Sequence, residues 1–276
     1  MDKKYKLAIT IVNYNTKELS LYCLKNIIES NITIPYQIVF LDNHSIDQED
    51  TIYEISRKFP DVKIIKMKYN SGYTKGVNQV IKHTNAEYIF NINSDVILKE
   101  GVVEKMVKYL ENNKDVGIIG PQLLNFDGSI QESAYRFITP DIALYRRTFL
   151  GLLPFAKKKL SYFTMKDWDH TTTREVDWVL GAAIMFPKKV MDEIGHLDED
   201  MFLYLSDTYL AWKLWENSYK VIYYPEVKIY HYHRKSSRDE NFIKKLFFNR
   251  AYKIHIKDGF TYFKKTFRKF NPRLIK

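Results

Sequence analysis

The chain has 276 residues, 45% of them hydrophobic, with a formal charge of +10 and a single cysteine, Cys23. That length supports one large domain or a domain with an appendage, and a lone cysteine excludes an intramolecular disulfide and fits a reducing compartment. No run reaches the roughly 18 apolar residues of a spanning helix, and MDKKYKLAITIVNYN lacks the form of a signal peptide, so a soluble or peripheral cytoplasmic protein is expected.

In chain order, the first 120 residues alternate short apolar runs with amphipathic segments, the pattern of βα units and a parallel sheet. Residues 6–12 read as a buried strand and 16–30 as a helix, with Thr16 as N-cap and Glu18 in the first turn. A second strand over 37–41 ends at Asp42-Asn43; a helix over 47–58 is stopped by Pro60; a third strand covers 62–67. The glycine-bearing loop 70–76 opens a helix to about His83, and a fourth strand, 88–92, ends at Asn93-Ser94-Asp95. A helix over 101–112 and a strand over 116–119 follow, before Pro121. From about 125 to 175 the rhythm lapses into turn chemistry at Phe126-Asp127-Gly128-Ser129 and an aromatic-basic stretch, 145–163. Regularity returns over 176–186, then as helices over 187–194 and 207–217 and a strand over 221–224. The economical reading is one αβα domain, with an inserted region, ending near 237 and followed by a helical tail.

Within the tail, residues 242–276 interleave Lys and Arg with Phe and Tyr. The pattern fits a helical pair packing its aromatics on the main domain with a solvated basic face. It fits equally an amphipathic helix on an anionic membrane. Nucleic acid, which also takes aromatics and cations, ranks well below both, and none is expected as a partner.

In an open α/β sheet, ligands bind beyond the carboxyl ends of the strands. Those ends carry Asn13-Tyr14-Asn15, Asp42-Asn43 and Asn93-Ser94-Asp95. The loop Asn70-Ser71-Gly72-Tyr73-Thr74-Lys75-Gly76 adds backbone freedom and a cation suited to a diphosphate. It lacks the spacing of a P-loop, and no GxGxxG follows the first strand. Each strand-end Asp alone reads as a turn or cap residue; several on one sheet edge read as a site.

The ordered series IVNYN, FLDNHS, YNSGYTKGVNQ, YIFNINSDV, VDWVLGAAIMFPK, FLYLSDTYL and IYHYHRKSS resembles glycosyltransferase family 2, and within it the rhamnosyltransferase-like subgroup. The resemblance runs from about Leu7 to Ser237 and implies a GT-A fold, a Rossmann-like αβα sandwich with a mainly parallel sheet. Residues 1–120 would be the nucleotide-sugar-binding half, 121–237 the acceptor half and 238–276 the tail.

The resemblance further implies a role for each matched position. Val12 and Tyr14 would contact the nucleotide base, Asp42 with Asn43 the base or ribose, and Lys75 with Asn78 the donor diphosphate. Asp95 would meet Mg²⁺ or Mn²⁺, cations that prefer oxygen ligands and take one or two carboxylates plus phosphates; Asn93 is a weak ligand at best. Asp207, central in Ser206-Asp207-Thr208-Tyr209, would be the base that deprotonates the acceptor in an inverting displacement. The family's usual flanking acids are replaced by Ser206 and Tyr209, and Asp207 also reads as a helix cap. Trp178 would offer a face to a sugar and Gly181 a close backbone approach, with Trp178 as ordinary core nearly as good a reading. His231 would reach the metal or diphosphate, though it and His233 also read as structural histidines.

The implied donor is a dTDP- or UDP-sugar, with rhamnose as one candidate sugar. The implied acceptor is a glycan or lipid carrier in cell-surface polysaccharide synthesis, with docking at the inner membrane face. The alternatives are a nucleotidyltransferase, which would carry a glycine- and arginine-rich loop absent from residues 15–21, and a lapsed module that binds sugar nucleotide without turnover.

Overall fold

A computed structural model describes residues 5–232 and 250–274. Strands and helices alternate through the first half as β1 (Tyr5–Asn13), α1 (Lys17–Glu29), β2 (Tyr36–Asp42), α2 (Gln48–Lys58), β3 (Lys63–Lys66), α3 (Tyr73–Lys82), β4 (Ala86–Ile92), β5 (Val96–Ile97), α4 (Val102–Asn112) and β6 (Val116–Leu124). The second half holds β7 (Ala134–Tyr135), α5 (Pro140–Tyr145), α6 (Pro154–Phe163), β8 (Arg174–Glu175), β9 (Trp178–Val179), β10 (Ala183–Pro187), α7 (Lys188–Ile194), α8 (Ser206–Glu216), β11 (Lys220–His231) and the tail helix α9 (Arg250–Thr266).

The main sheet runs β3-β2-β1-β4-β10-β6-β11-β5, with β8 added beside β11. Pairings among β1 to β4, and between β6 and β11, are parallel. Helices cover both faces, which is why these strands read as unbroken apolar runs. Along β1, Leu7, Ile9 and Ile11 meet Leu24, Ile27 and Met106 on one side, while Ala8 joins Val77 and Ile81 on the other.

Three features depart from the expected pattern. The single stretch 176–186 divides at Gly181: β9 pairs with β7 in a small separate sheet, and β10 enters the main sheet antiparallel between β4 and β6. Strands β6 and β11 continue past Pro121 and Pro225 to Leu124 and His231. Their register shifts between Tyr224 and Lys228, so Pro225 lies in an irregularity where its missing N–H breaks no regular ladder. The lapse over 125–175 contains α5 and α6, each with proline at the first turn, a position where the absent N–H would have had no helical partner.

The tail from 250 onward packs on the domain. In α9, Tyr262 and Asp258 are buried, with Tyr262 edge-on to Trp212 of α8. Beyond it, Arg273 and Asn271 bond the buried carboxylate of Asp177 at 2.7 and 3.1 Å. Residues 242–249 of the expected helical pair, and His233, lie outside the described residues.

Candidate active site

Parallel pairing puts Asn13 directly opposite Asp42 at the carboxyl edge. Asn13 is buried and tied on both sides: Nδ2 donates to Asp42 Oδ2 at 2.6 Å, and Oδ1 accepts from Thr16 Oγ1 at 2.6 Å and Ser20 Oγ at 3.0 Å. Thr16 therefore does not cap α1 through its side chain; its hydroxyl also meets Ser94 Oγ at 2.9 Å, joining the end of β1 to the turn before Asp95.

Several residues expected to meet the nucleotide are committed to the protein. Asp42 is wholly buried and accepts four hydrogen bonds, from Ser45 N, Ser45 Oγ, Gln48 Nε2 and Asn13 Nδ2. Asn43 clamps the glycine loop, donating to Gly72 O and accepting from Ser71 N. Asn78 fastens residues 197–199, donating to Leu197 O at 2.9 Å and Glu199 Oε1 at 3.0 Å while accepting from Leu197 N. Val12 packs beneath α3, its Cγ1 where a side chain on Gly76 would stand. That leaves Tyr14, which is exposed, and Lys75, half-buried with no ion-pair partner among the described residues.

The end of β11 brings His231 to Asp95. The chain there pairs with β5, and Tyr232 N donates to Asp95 O. His231 Nδ1 is 2.7 Å from Gln131 Oε1, which can only accept, so Nδ1 carries the proton. In the neutral imidazole, Nε2 then presents a lone pair toward Asp95 Oδ1, 3.4 Å away. Asp95 Oδ1 is buried without a hydrogen-bond partner among the described residues. With Nε2 unprotonated, His231 and Asp95 form an N,O donor pair that can hold a cation, and such a pair suits Mn²⁺ well and Mg²⁺ less so. Among the described residues no third His, Cys, Asp or Glu joins them, so the remaining ligands would be diphosphate oxygens and water.

Asp207 sits in the first turn of α8. Its Oδ1 accepts Thr208 N at 2.8 Å, as a helix-end acid does, and its Oδ2 accepts Gly181 N at 2.9 Å. The space beside Gly181 is occupied by the Asp207 carboxylate: an added Cβ would lie 3.2 Å from Asp207 Cβ and Oδ2. The close approach glycine allows here is to Asp207. Burial pushes the Asp207 carboxyl above its ordinary range, although the two backbone donors pull the other way.

Trp178 is buried core: it stacks on Tyr135 with centroids 4.4 Å apart, and its indole N–H donates to Arg136 O. A buried polar relay that sequence reasoning missed runs behind the site. Thr10 Oγ1 donates to Asn91 Oδ1, Asn91 Nδ2 to the Tyr73 hydroxyl at 2.8 Å, and that hydroxyl contacts Gly181 O at 3.4 Å. Burial raises the Tyr73 phenol, and the charges of Asp207 and Asp95 add to that shift. The available signal was Thr10 and Asn91 themselves, polar residues inside otherwise apolar strands.

The family model described as Glycosyl transferase family 2 matches residues 8–172. The chain belongs to glycosyl transferase family 2. It is 30% identical over 209 residues to the low-salt glycan biosynthesis hexosyltransferase Agl10 of Haloferax volcanii, covering 73% of this chain and 59% of that protein. It is 22% identical over 215 residues to the N-acetylglucosaminyl-diphospho-decaprenol L-rhamnosyltransferase of Mycobacterium tuberculosis, covering 74% and 68%. Among solved structures, GalNAc-T7 with UDP, GalNAc and Mn²⁺ superposes with a TM-score of 0.66 at 11% identity, covering 95% of this chain and 48% of that one. The fold is thus the GT-A fold of this family. Gly181, Asp207 and His231 all lie beyond the segment the family model matches.

Proposed function

We propose that this chain is an inverting glycosyltransferase that moves a sugar, with rhamnose as one candidate, from a dTDP- or UDP-sugar to a glycan or lipid-linked acceptor in cell-surface polysaccharide synthesis. The observation that carries the reading is the facing pair of His231 Nε2 and the unpartnered, buried Asp95 Oδ1 at a parallel-sheet edge. Mg²⁺ or Mn²⁺ held by Asp95 and His231 would offset the charge that builds on the departing diphosphate. Lys75 adds a cation for the diphosphate, and Tyr14 an exposed ring for the base. Asp207 takes the proton of the acceptor hydroxyl; the acceptor oxygen bonds to the anomeric carbon as the bond to the diphosphate oxygen breaks on the opposite face. An elevated Asp207 suits a base that must bind a proton in the transition state. The reading of a lapsed module rests only on Ser206 and Tyr209 in place of acids.

The test is thermal stabilisation across a UDP-, dTDP- and GDP-sugar panel with and without Mn²⁺, followed by turnover of whichever donor binds. A ligand at 100 times its Kd stabilises by about 2.7 kcal/mol. Stabilisation that needs Mn²⁺ and is lost in Asp95→Asn is the expected result; metal-independent stabilisation, or none from any nucleotide, contradicts the reading.

The surface supports a membrane setting for the acceptor. Between α5 and α6, Phe149 and Leu152 are 77% and 72% exposed, with Phe155 beside them and Arg146, Lys157 and Lys158 exposed nearby. No helix among the described residues is long and apolar enough to cross a membrane. Exposed aromatic and aliphatic side chains flanked by cations suit shallow insertion into an anionic bilayer, with each cation contributing on the order of 1 kcal/mol. Phe149→Ser with Leu152→Ser should reduce sedimentation with phosphatidylglycerol vesicles while leaving the melting curve in place; equal binding to neutral phosphatidylcholine vesicles would remove the electrostatic part.

A further inference from the structure

We propose that Asp258, in the tail helix α9, is a positioning residue for sugar transfer: its carboxylate fixes the loop that delivers Asp207 and braces that loop against the glycine segment before α3. The inference rests on the reading of Asp207 as the base. Asp258 is fully buried and accepts three consecutive backbone amides, Phe202 N on Oδ1 at 3.0 Å and Leu203 N and Tyr204 N on Oδ2 at 2.9 and 2.8 Å. No ion-pair partner for it occurs among the described residues, so its charge is met by these oriented amide dipoles. A buried carboxylate is costly unless its lone pairs are occupied, and here they are occupied by one short loop.

That loop is pinned on both sides. Upstream, Phe202 O accepts Thr74 N at 3.4 Å, and Phe202 O and ring fill the space beside Gly72, where a Cβ would come within 2.6 to 2.9 Å. Gly72 has φ +88°, so only glycine fits both the conformation and the contact. Downstream, Leu205 is held at φ 60°, a left-handed conformation that a branched residue keeps only when its neighbours impose it. Ser206 and Asp207 follow at once, with Asp207 on Gly181 N. One side chain of α9 therefore sets the amides from which both the glycine segment and the base take their positions. The tail is then part of the catalytic apparatus as well as of its surface.

The experiment compares Asp258→Asn with Arg273→Gln, which loosens the tail at Asp177 instead. Circular-dichroism melts establish that each is folded at the assay temperature. In Asp258→Asn, amides of residues 202–208 should exchange with deuterium at least tenfold faster, and kcat for the donor selected by the nucleotide-sugar panel should fall about 30-fold, with affinity for UDP and Mn²⁺ within about threefold. Arg273→Gln should keep kcat within twofold even where it lowers the melting temperature as much. On an Asp207→Asn background, Asp258→Asn should cost less than twofold further, because both act through one group. A folded Asp258→Asn protein with unchanged exchange and kcat overturns the proposal, as does an equal loss of kcat in Arg273→Gln. Should the wild type turn over no sugar nucleotide, the transferase reading fails, while the exchange data still decide whether Asp258 holds the loop.

Discussion

The first 120 residues and the chain that follows them use polar side chains in opposite ways. In the first, Asp42 and Asn43 stand at a strand end on the edge where ligands bind, and Asn78 stands in the middle of α3, yet their hydrogen bonds go to the protein. In the second, polar groups remote in sequence, from Gln131, Asp207, His231 and Asp258, turn toward the same edge and orient what stands there. Strand order decides which edge carries a site. It does not decide which of two neighbouring polar side chains faces the ligand and which one holds the loop.

The sharpest way to break this comparison is Asp207→Asn. The amide cannot accept the acceptor's proton, so transfer should fall by three orders of magnitude or more while nucleotide binding persists. Because burial raises the Asp207 carboxyl, the acid limb of the kcat profile should lie above the range of an ordinary aspartate. The sign follows from the need for the deprotonated form: activity is present above the raised value and lost as pH falls through it. An acid limb at the ordinary carboxylate value would place the base elsewhere.

A smaller effect separates tie from ligand in the first half. Asp42→Ala strands the backbone N–H and the hydroxyl of Ser45, while Gln48 Nε2 keeps Asp42 O and Met67 O and Asn13 Nδ2 keeps Ser45 Oγ. At about 1–3 kcal/mol for each group left unsatisfied, the loss should be on the order of 3 kcal/mol, read as a fall of several degrees in Tm. Lys75→Met should leave Tm within about a degree and weaken UDP binding in Mn²⁺ about tenfold, about 1.4 kcal/mol. If Lys75→Met destabilises and Asp42→Ala does not, the roles are reversed.

The same distinction explains what could be read from residues alone. The βα rhythm of the first 120 residues was legible because buried parallel strands and amphipathic helices leave different periodicities. Motif order singled out Asp95 and Asp207, which lie after β4 and in the first turn of α8. After Leu124 the helices over 187–194 and 207–217 were legible, and stand as α7 and α8, but the strand pairing was not. The two strands read as ending at 119, before Pro121, and at 224, but β6 and β11 run on to Leu124 and His231, their irregular pairing absorbing Pro225, and that continuation carries His231 to Asp95. The antiparallel entry of β10 is equally silent in sequence, because a strand buried on both faces reads alike in either direction. Asp258 gave no signal: one acid among nine lysines and arginines from 250 to 276 reads as surface charge, and only the fold puts it under residues 202–204.

The smallest effect tests whether the tail and the second half form one unit. His255 of α9 stacks on Tyr204 at 4.1 Å, and its Nε2 accepts from Arg147 Nη2 at 2.6 Å, which joins the tail to the segment after α5. Burial first, then the charges of Arg147 and Arg146, depress this imidazole to about 3. The native state therefore keeps His255 neutral, while the unfolded chain takes up a proton near the ordinary value of 6.5. The stability this contact contributes is fully present above that ordinary value and drains away as pH falls from it toward 3, by at most about 1.4 kcal/mol for each pH unit. His255→Phe keeps the stack on Tyr204 and removes the titration, so its melting temperature should fall less steeply between pH 7 and pH 5 than that of the wild type. Parallel slopes for the two proteins would mean that the ring is free to take its proton in the folded state, and that α9 is not closed against Arg147 in solution.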